Sequence, residues 1–308
     1  MIVRTVLGDI APEALGATLS HEHVFACPPA DVTDPDLRLD DEAASVAELA
    51  AFRAAGGGTV VDMTTLDYGR DAAALARISR AAGVHVVAAT GFNKGRFADR
   101  ISHDMTTDAI TRWMIADVTT GIDGTRVRAG LIKASSGGLE GPGPDERRVF
   151  EAAAEAHHAS GAPISTHTEK GRWADGQVAL LTGLGVAPDR ILIGHLDLNP
   201  DPGYLKEVAA SGVFLGFDQF TKAKYLPDET RIALVAALAE AGHGPQLMIS
   251  GDLARRSYWH VHGGPGYRHF LGALADRFEA LGVGAARYRG WLTDNPRRFF
   301  AFTPHLSS

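Results

Sequence analysis

Three observations predict an α/β protein folded as a (β/α)8 TIM barrel. Eight short apolar runs recur along the 308 residues. Segments of helix-forming composition separate them. A chemically capable side chain closes every run. Continuous apolar strands alternating with helices indicate a parallel sheet covered on both faces, and eight such units over this length suit a closed barrel. No GxGxxG follows the first run and no GxxxxGK[ST] occurs, which disfavours the open-sheet nucleotide folds.

The runs, in order, are ATLSHEHVF (17–25), GTVVDMTTL (58–66), VHVVAATGF (84–92), RAGLIKAS (128–135), APISTHTEK (162–170), RILIGHLDL (190–198), GVFLGFDQF (212–220) and QLMISGDLA (246–254). Between them lie DEAASVAELAAFRAAGG (41–57), DERRVFEAAAEAHHASG (145–161) and DETRIALVAALAEAGHG (228–244). Each opens on Asp, an expected N-cap, and closes on Gly, an expected C-cap. No low-complexity stretch or long Pro/Ser linker divides the chain, so residues 1–308 are expected to form one barrel domain.

Apolar residues make up 45% and charged residues 22%, with a formal net charge of −7. That balance is ordinary for a globular protein and argues against a nucleic-acid partner. The single cysteine, Cys27, excludes an internal disulfide and a cysteine-built zinc site. The N-terminus lacks a basic segment followed by an apolar one, and no stretch reaches the ~20 apolar residues of a membrane span. The expectation is a cytoplasmic protein without a membrane partner.

The run-ending residues are His21 and His23, Asp62, Thr90, Lys133, His167, His195, Asp218 and Asp252. In a parallel barrel that end of the strands carries the active site. A lone strand-end histidine is more often a packing residue than a ligand, and most of the 13 histidines, such as His157, His158 and His243, read as ordinary surface residues. The conjunction carries the signal. In His21-Glu22-His23 both imidazoles share one side of the strand and Glu22 takes the other. With His167, His195 and Asp252 they supply four nitrogens and a carboxylate, more than one tetrahedral ion needs. Two divalent ions fit: zinc, with manganese, cobalt or iron as alternatives. Lys133 then has two readings. Its amine, desolvated beside cations, adds CO₂ and bridges them as a carbamate; or its stem packs and its ammonium reaches solvent. Asp62, Thr90 and Asp218 read as groups that orient ligands or as packed polar residues.

HEH on the first run, Lys in GLIKAS, His in STHTEKG, His in IGHLD and Asp in SGD resemble the phosphotriesterase-like branch of the amidohydrolase superfamily. The resemblance extends from LGATLSHEHVF to TDNPRRFFAF. It implies a binuclear metal-dependent hydrolase acting on ester bonds at the C-terminal face of the barrel. His21, His23 and Asp252 would bind the more buried ion, and His167 and His195 the more exposed one. A carboxylated Lys133 (N6-carboxylysine) and a hydroxide would bridge both. Asp252 would also be the catalytic proton acceptor. Dimers are frequent in the family, so a homodimer is a further expectation, although no residue pattern marks an interface.

Two stretches bear on the substrate. FDQFTKAKYLPDETR brings Lys222, Lys224, Tyr225 and Arg231 after the seventh run; GDLARRSYWH brings Arg255, Arg256, Tyr258 and His260 after the eighth. These loops form the frequent phosphate site of such barrels, and Arg and Lys are the usual phosphate partners. Singly, each reads as a solvated loop charge. Clustered on an acidic protein, they predict a small anionic substrate. Both stretches resemble the branch acting on aldonolactone phosphates, which implies a lactonase opening an aldono-1,4-lactone 5-phosphate. Asn93 in GFNKGRF stands where acyl-homoserine lactonases of the family tend to carry tyrosine, so it joins the expected substrate-binding set. The alternatives are a broad-specificity lactonase or phosphotriesterase, and a non-catalytic homologue that binds metal or a phosphorylated ligand.

Overall fold

The computed structural model describes residues 1–305. Eight strands, β3 (Ala17–Glu22), β4 (Gly57–Asp62), β5 (His85–Gly91), β6 (Leu131–Ser135), β7 (Ile164–His167), β8 (Ile191–Ile193), β9 (Phe214–Phe217) and β10 (Leu247–Ile249), pair in parallel and in sequence order. Seven lie inside one predicted run each, and β4 begins one residue before its run, at Gly57. An antiparallel hairpin, β1 (Val3–Thr5) with β2 (Gly8–Ile10), precedes them and has no counterpart among the runs. Around the barrel stand α1 (Glu42–Ala54), α2 (Ala72–Ala82), α3 (Arg96–Ser102), α4 (Thr107–Thr119), α5 (Pro144–Ser160), α6 (Ala174–Gly183), α7 (Pro202–Ala210), α8 (Asp228–Leu238), α9 (Ala273–Ala280), α10 (Ala285–Leu292) and α11 (Asp294–Phe300). Among the described residues no helix is long and apolar enough to cross a membrane.

The period-2 alternation of the strands sorts their side chains into two apolar layers. Val60, Val86, Ala88, Ile132 and Ile193 point outward and pack with Leu49, Leu75, Phe150 and Val235 of the helices. Val61, Val87, Ala89, Leu131, Leu192, Phe214 and Met248 fill the barrel interior, closed below by Val3 and by Phe299 and Phe300 of α11. Lys133 follows Leu131 by two residues, so it shares the inward face one layer higher.

Strand β3 obeys the same rule only after a correction in its backbone. Leu19 pairs with Val60, and Glu22 with Asp62, so three residues of β3 span two of β4. The register shift resets the alternation. Leu19 and Glu22 both face outward, and His21 and His23 turn inward as the HEH pattern predicts.

The seam between β10 and β3 is stitched by side chains rather than by a ladder. Ser250 Oγ accepts the His21 N–H at 3.1 Å and lies 2.7 Å from Glu22 Oε1. The Glu22 carboxylate accepts the N–H groups of Gly251 and Leu253, both at 2.7 Å. The Asp252 N–H donates to His21 O at 3.0 Å. Glu22 is fully buried, and burial pushes its carboxyl up to about 8 against these donors.

The helix caps depart partly from the sequence pattern. Asp41 caps α1 as expected, accepting from Ala43 and Ala44 N–H. Gly161 closes α5. Asp145 and Asp228, however, lie inside the first turns of α5 and α8, behind Gly143-Pro144 and Pro227. Proline's fixed φ starts those helices one or two residues earlier.

Candidate metal centre at the C-terminal face of the barrel

Six of the nine run-ending residues meet in one cleft of about 580 Å³. His21 and His23 from β3, Lys133 from β6, His167 from β7, and His195, Gln219 and Asp252 from beyond β8, β9 and β10 line it. A wider depression over residues 137–146 lies outside this constellation.

Three of the lining residues sit in backbone conformations that side chains rarely adopt. Lys170 has φ 53°, His195 φ 61° and Asp252 φ 47°. Of the six positive-φ non-glycine residues among the described residues, five (Lys170, Trp173, His195, Thr221 and Asp252) lie beyond β7–β10. Such strain persists where surrounding bonds over-determine it, commonly at functional sites. Gly91 of β5 serves the same end differently. At φ 100°, an added Cβ would lie 2.0 Å from Lys133 O, so only glycine lets β5 approach the lysine strand.

His23 Nε2 lies 3.2 Å from Asp252 Oδ1, and His21 Nε2 lies 3.8 Å from the same oxygen. These three side chains have ligand atoms within 4.8 Å of one another, as do His21, His195 and Asp218. Thr64 Oγ1 holds His23 Nδ1 at 2.8 Å. Asp218 Oδ1 holds His195 Nδ1 at 2.6 Å, and Asp218 Oδ2 lies 3.1 Å from His21 Nδ1. The His23 and His195 bonds use Nδ1 and leave Nε2 to the cleft, the arrangement in which an outer carboxylate or hydroxyl orients a ligating imidazole, whereas His21 Nδ1 is only near Asp218 and makes no hydrogen bond. The His167 and His195 rings approach to 4.5 Å between centroids.

The electrostatics agree. Burial holds His21 down at about 4, against Asp218, which pulls the other way. Burial, with His195 beside it, holds His167 well below the usual imidazole range. His167 Nε2 is buried and makes no hydrogen bond, the nearest carboxylate oxygen being Glu169 Oε2 at 3.5 Å. For His195 burial also lowers, but the Asp218 carboxylate outweighs it and the ring is raised. Lys133 is 3% exposed. Its ammonium reaches Met63 O at 3.1 Å, and among the described residues no carboxylate pairs with it. Burial pushes its pKa down. Four imidazoles, a carboxylate and a desolvated amine form a donor set that fits divalent cations.

The expected substrate-binding residues divide. Asn93, Lys224 and Tyr225 line the cleft. Lys224 is exposed, its ammonium 4.8 Å from the Tyr225 ring centroid and 5.9 Å from that of Tyr258, and among the described residues no carboxylate pairs with it. Lys222 is buried against Asp252 instead. Arg231 lies outside the cleft. It is fully buried, with Nε 3.0 Å from Asp197 and Nη1 3.1 Å from Asp228. Arg255 is bound by Asp34 at 2.7 Å and Asp36 at 3.3 Å, and Arg256 faces Asp40 at 3.8 Å. The loop after β3 therefore supplies the carboxylates that neutralise both arginines. Tyr258 packs behind Lys222 and Lys224.

Among the remaining strand-end residues, Asp62 accepts backbone N–H groups of Val24, Phe25 and Thr64. Thr90 donates to Asp117 at 2.7 Å, away from the cleft. Sequence reasoning missed Tyr68, Lys94, Glu169, Lys170 and Gln219, all of which line it. Lys94 pairs with Glu169, whose carboxyl is held at about 2 by His167 and Lys94. Glu169 stands in the predicted run two residues after His167 but past the end of β7, where strand alternation no longer applies; Gln219 gave no signal beyond its place beside Asp218.

The comparisons with known proteins agree with this geometry. The model of the phosphotriesterase family matches residues 1–300. The phosphotriesterase homology protein of Escherichia coli is 35% identical over 286 residues, covering 92% of this chain and 98% of its own. A phospho-furanose lactonase of Mycoplasmopsis synoviae is 32% identical over 323 residues, covering 97% and 91%. The crystal structure of a lactonase from Listeria monocytogenes superposes with a TM-score of 0.94 at 35% identity, covering 98% of this chain and 100% of that one.

Proposed function

Because this chain belongs to the phosphotriesterase family and is a hydrolase, we propose that it is a binuclear metal-dependent lactonase that opens phosphorylated sugar lactones of the aldono-1,4-lactone 5-phosphate type. The observation that carries the reading is the cleft itself: four inward imidazoles, a desolvated lysine and Asp252 face an unpaired Lys224 across one opening. The phospho-furanose lactonase named above supports the substrate class.

In this reading His21, His23 and Asp252 would hold one ion and His167 and His195 the other, and a carboxylated Lys133 would add a further anionic ligand. Zinc is the proposed occupant, with manganese, cobalt and iron as the other ions these donors suit. When bound, such ions lower the pKa of water and polarise an ester carbonyl. Asp252 accepts the proton released on attack and returns it to the ring oxygen that leaves. Asp218 and Thr64 fix the imidazole tautomers. Lys224, with Lys170, which also lines the cleft, attracts the phosphate. Both ammonium groups are exposed, and neither is tied to a carboxylate among the described residues. Tyr68 and Phe97, edge-to-face at 5.1 Å, form an apolar wall beside His23. The protein is further proposed to act in the cytoplasm, as a homodimer, on a small anionic substrate, with neither nucleic acid nor membrane as partner.

The test is kcat/KM of metal-loaded protein on a pentonolactone 5-phosphate and on the same lactone without phosphate. A preference of tenfold or more for the phosphate ester is expected. Equal values would remove the phosphate from the reading and favour the broad lactonase or phosphotriesterase alternative. No turnover of any lactone or ester would favour a non-catalytic binder.

A further inference from the structure

Lys222 stands in a loop expected to bind phosphate, yet its surroundings give it another task. An ammonium has three donors. The Lys222 group spends them on Asp252 Oδ2 at 2.8 Å, Asp252 O at 2.6 Å and Gln219 Oε1 at 2.9 Å. No donor remains for a substrate anion. The side chain is buried, with the Tyr258 ring centroid 5.6 Å from Nζ.

The acceptors are as informative as the donor. Asp252 Oδ2 takes hydrogen bonds from both Lys222 and the Gln219 amide, each at 2.8 Å. That leaves Oδ1 turned toward His23 and His21. The third Lys222 bond goes to the Asp252 carbonyl, and Asp252 is the residue at φ 47°. The lysine thus fixes both the strained backbone of Asp252 and the rotation of its carboxylate.

The geometry points to Lys222 as a positioning residue that, together with Gln219, locks Asp252 so that Oδ1 alone is presented to the ion shared with His21 and His23. This inference rests on the proposed metal centre. It replaces a substrate role for Lys222 with a metal-affinity role. Its loop also carries Lys224 and Tyr225, so the substrate-facing segment is anchored to the metal ligand through one ammonium group.

The test is zinc titration of metal-stripped protein against a chromophoric chelator. Removal of a group that orients a metal ligand typically weakens binding about 10–100-fold. Lys222→Met keeps the stem and deletes the donors. It should weaken one ion by that factor and leave a second ion at wild-type affinity, with an unchanged far-UV circular dichroism spectrum. Lys222→Gln, which retains a neutral donor, should fall between. Gln219→Leu removes the other Oδ2 donor, should weaken the same ion, and serves if Lys222→Met does not fold. Wild-type zinc affinities in these variants, with a raised KM confined to phosphorylated lactones, would overturn the inference and return Lys222 to the substrate. The titration uses no substrate, so failure of the lactonase reading leaves it intact. A wild-type protein that holds a single ion is tested at the same ligands.

Discussion

Replacing Arg231 separates a structural role from a substrate role by a measurable margin. The guanidinium is wholly buried and is the ion-pair partner of Asp197, itself fully buried. Asp197 in turn accepts the N–H groups of Asp218 and Gln219, at 3.3 and 2.8 Å. Arg231→Met deletes the cation and strands the Asp197 charge. Asp228 is spared, because Arg277 also reaches it at 2.9 Å. Breaking a buried pair from one side costs about 3–5 kcal/mol. At ~2.1 cal/mol/K per residue, 308 residues unfold with an entropy of about 0.65 kcal/mol/K. The expected fall in Tm is therefore roughly 5–8 °C, read by calorimetry on metal-stripped protein. Arg231→Met with Asp197→Leu should recover most of it, since apolar replacement of a whole buried pair is often neutral. A single variant with native Tm and a raised KM would refute this and make Arg231 a substrate ligand.

Three further outcomes are expected. Lys133→Ala should bind fewer than two ions per chain by elemental analysis and lose activity; a fully active variant with two ions would rule out the bridging lysine. Lys224→Ala should raise KM for a phosphorylated lactone about tenfold and leave an uncharged lactone unaffected, and equal effects on both would exclude a phosphate contact. Burial holds His157 below its ordinary value, and its Nδ1 donates to Ala162 O at 2.7 Å. Between that lowered pKa and ~6.5 the unfolded chain takes up a proton that the folded chain refuses. The His157 contribution is whole above ~6.5 and declines as pH falls below it. His157→Asn should reduce the drop in Tm between pH 7.5 and 5.5; an unchanged drop would count against it.

Much of this was legible in the sequence because strand periodicity and ligand chemistry are both local. Eight apolar runs gave eight strands, and HEH gave two inward histidines even across the register shift in β3. Lys133 could be placed from its spacing to Leu131. What could not be read was pairing between distant loops. Nothing near Arg255 announces that Asp34 and Asp36 will reach it, and nothing near Lys222 announces Asp252. Charge clustering in sequence therefore overstated the number of free cations. Lys224 remains available, whereas Lys222, Arg231, Arg255 and Arg256 face carboxylates. The β1–β2 hairpin escaped because Val-Arg-Thr and Gly-Asp-Ile form no continuous apolar run, unlike the equally short Ile-Leu-Ile of β8 and Leu-Met-Ile of β10.

The unladdered seam between β10 and β3 also sets an order of assembly. Its bonds join residues 229 positions apart. Closing such a loop first would cost roughly 5 kcal/mol of chain entropy, whereas adding each strand to its neighbour spreads that cost along the barrel. The joint between first and last strands is therefore made at the end. His21 and Asp252 stand on opposite sides of it, so the ligand set becomes complete only when the circle closes. An ion held there would act as a clasp, fastening the two margins of the sheet where a single backbone bond, Asp252 N–H to His21 O, stands in for a ladder.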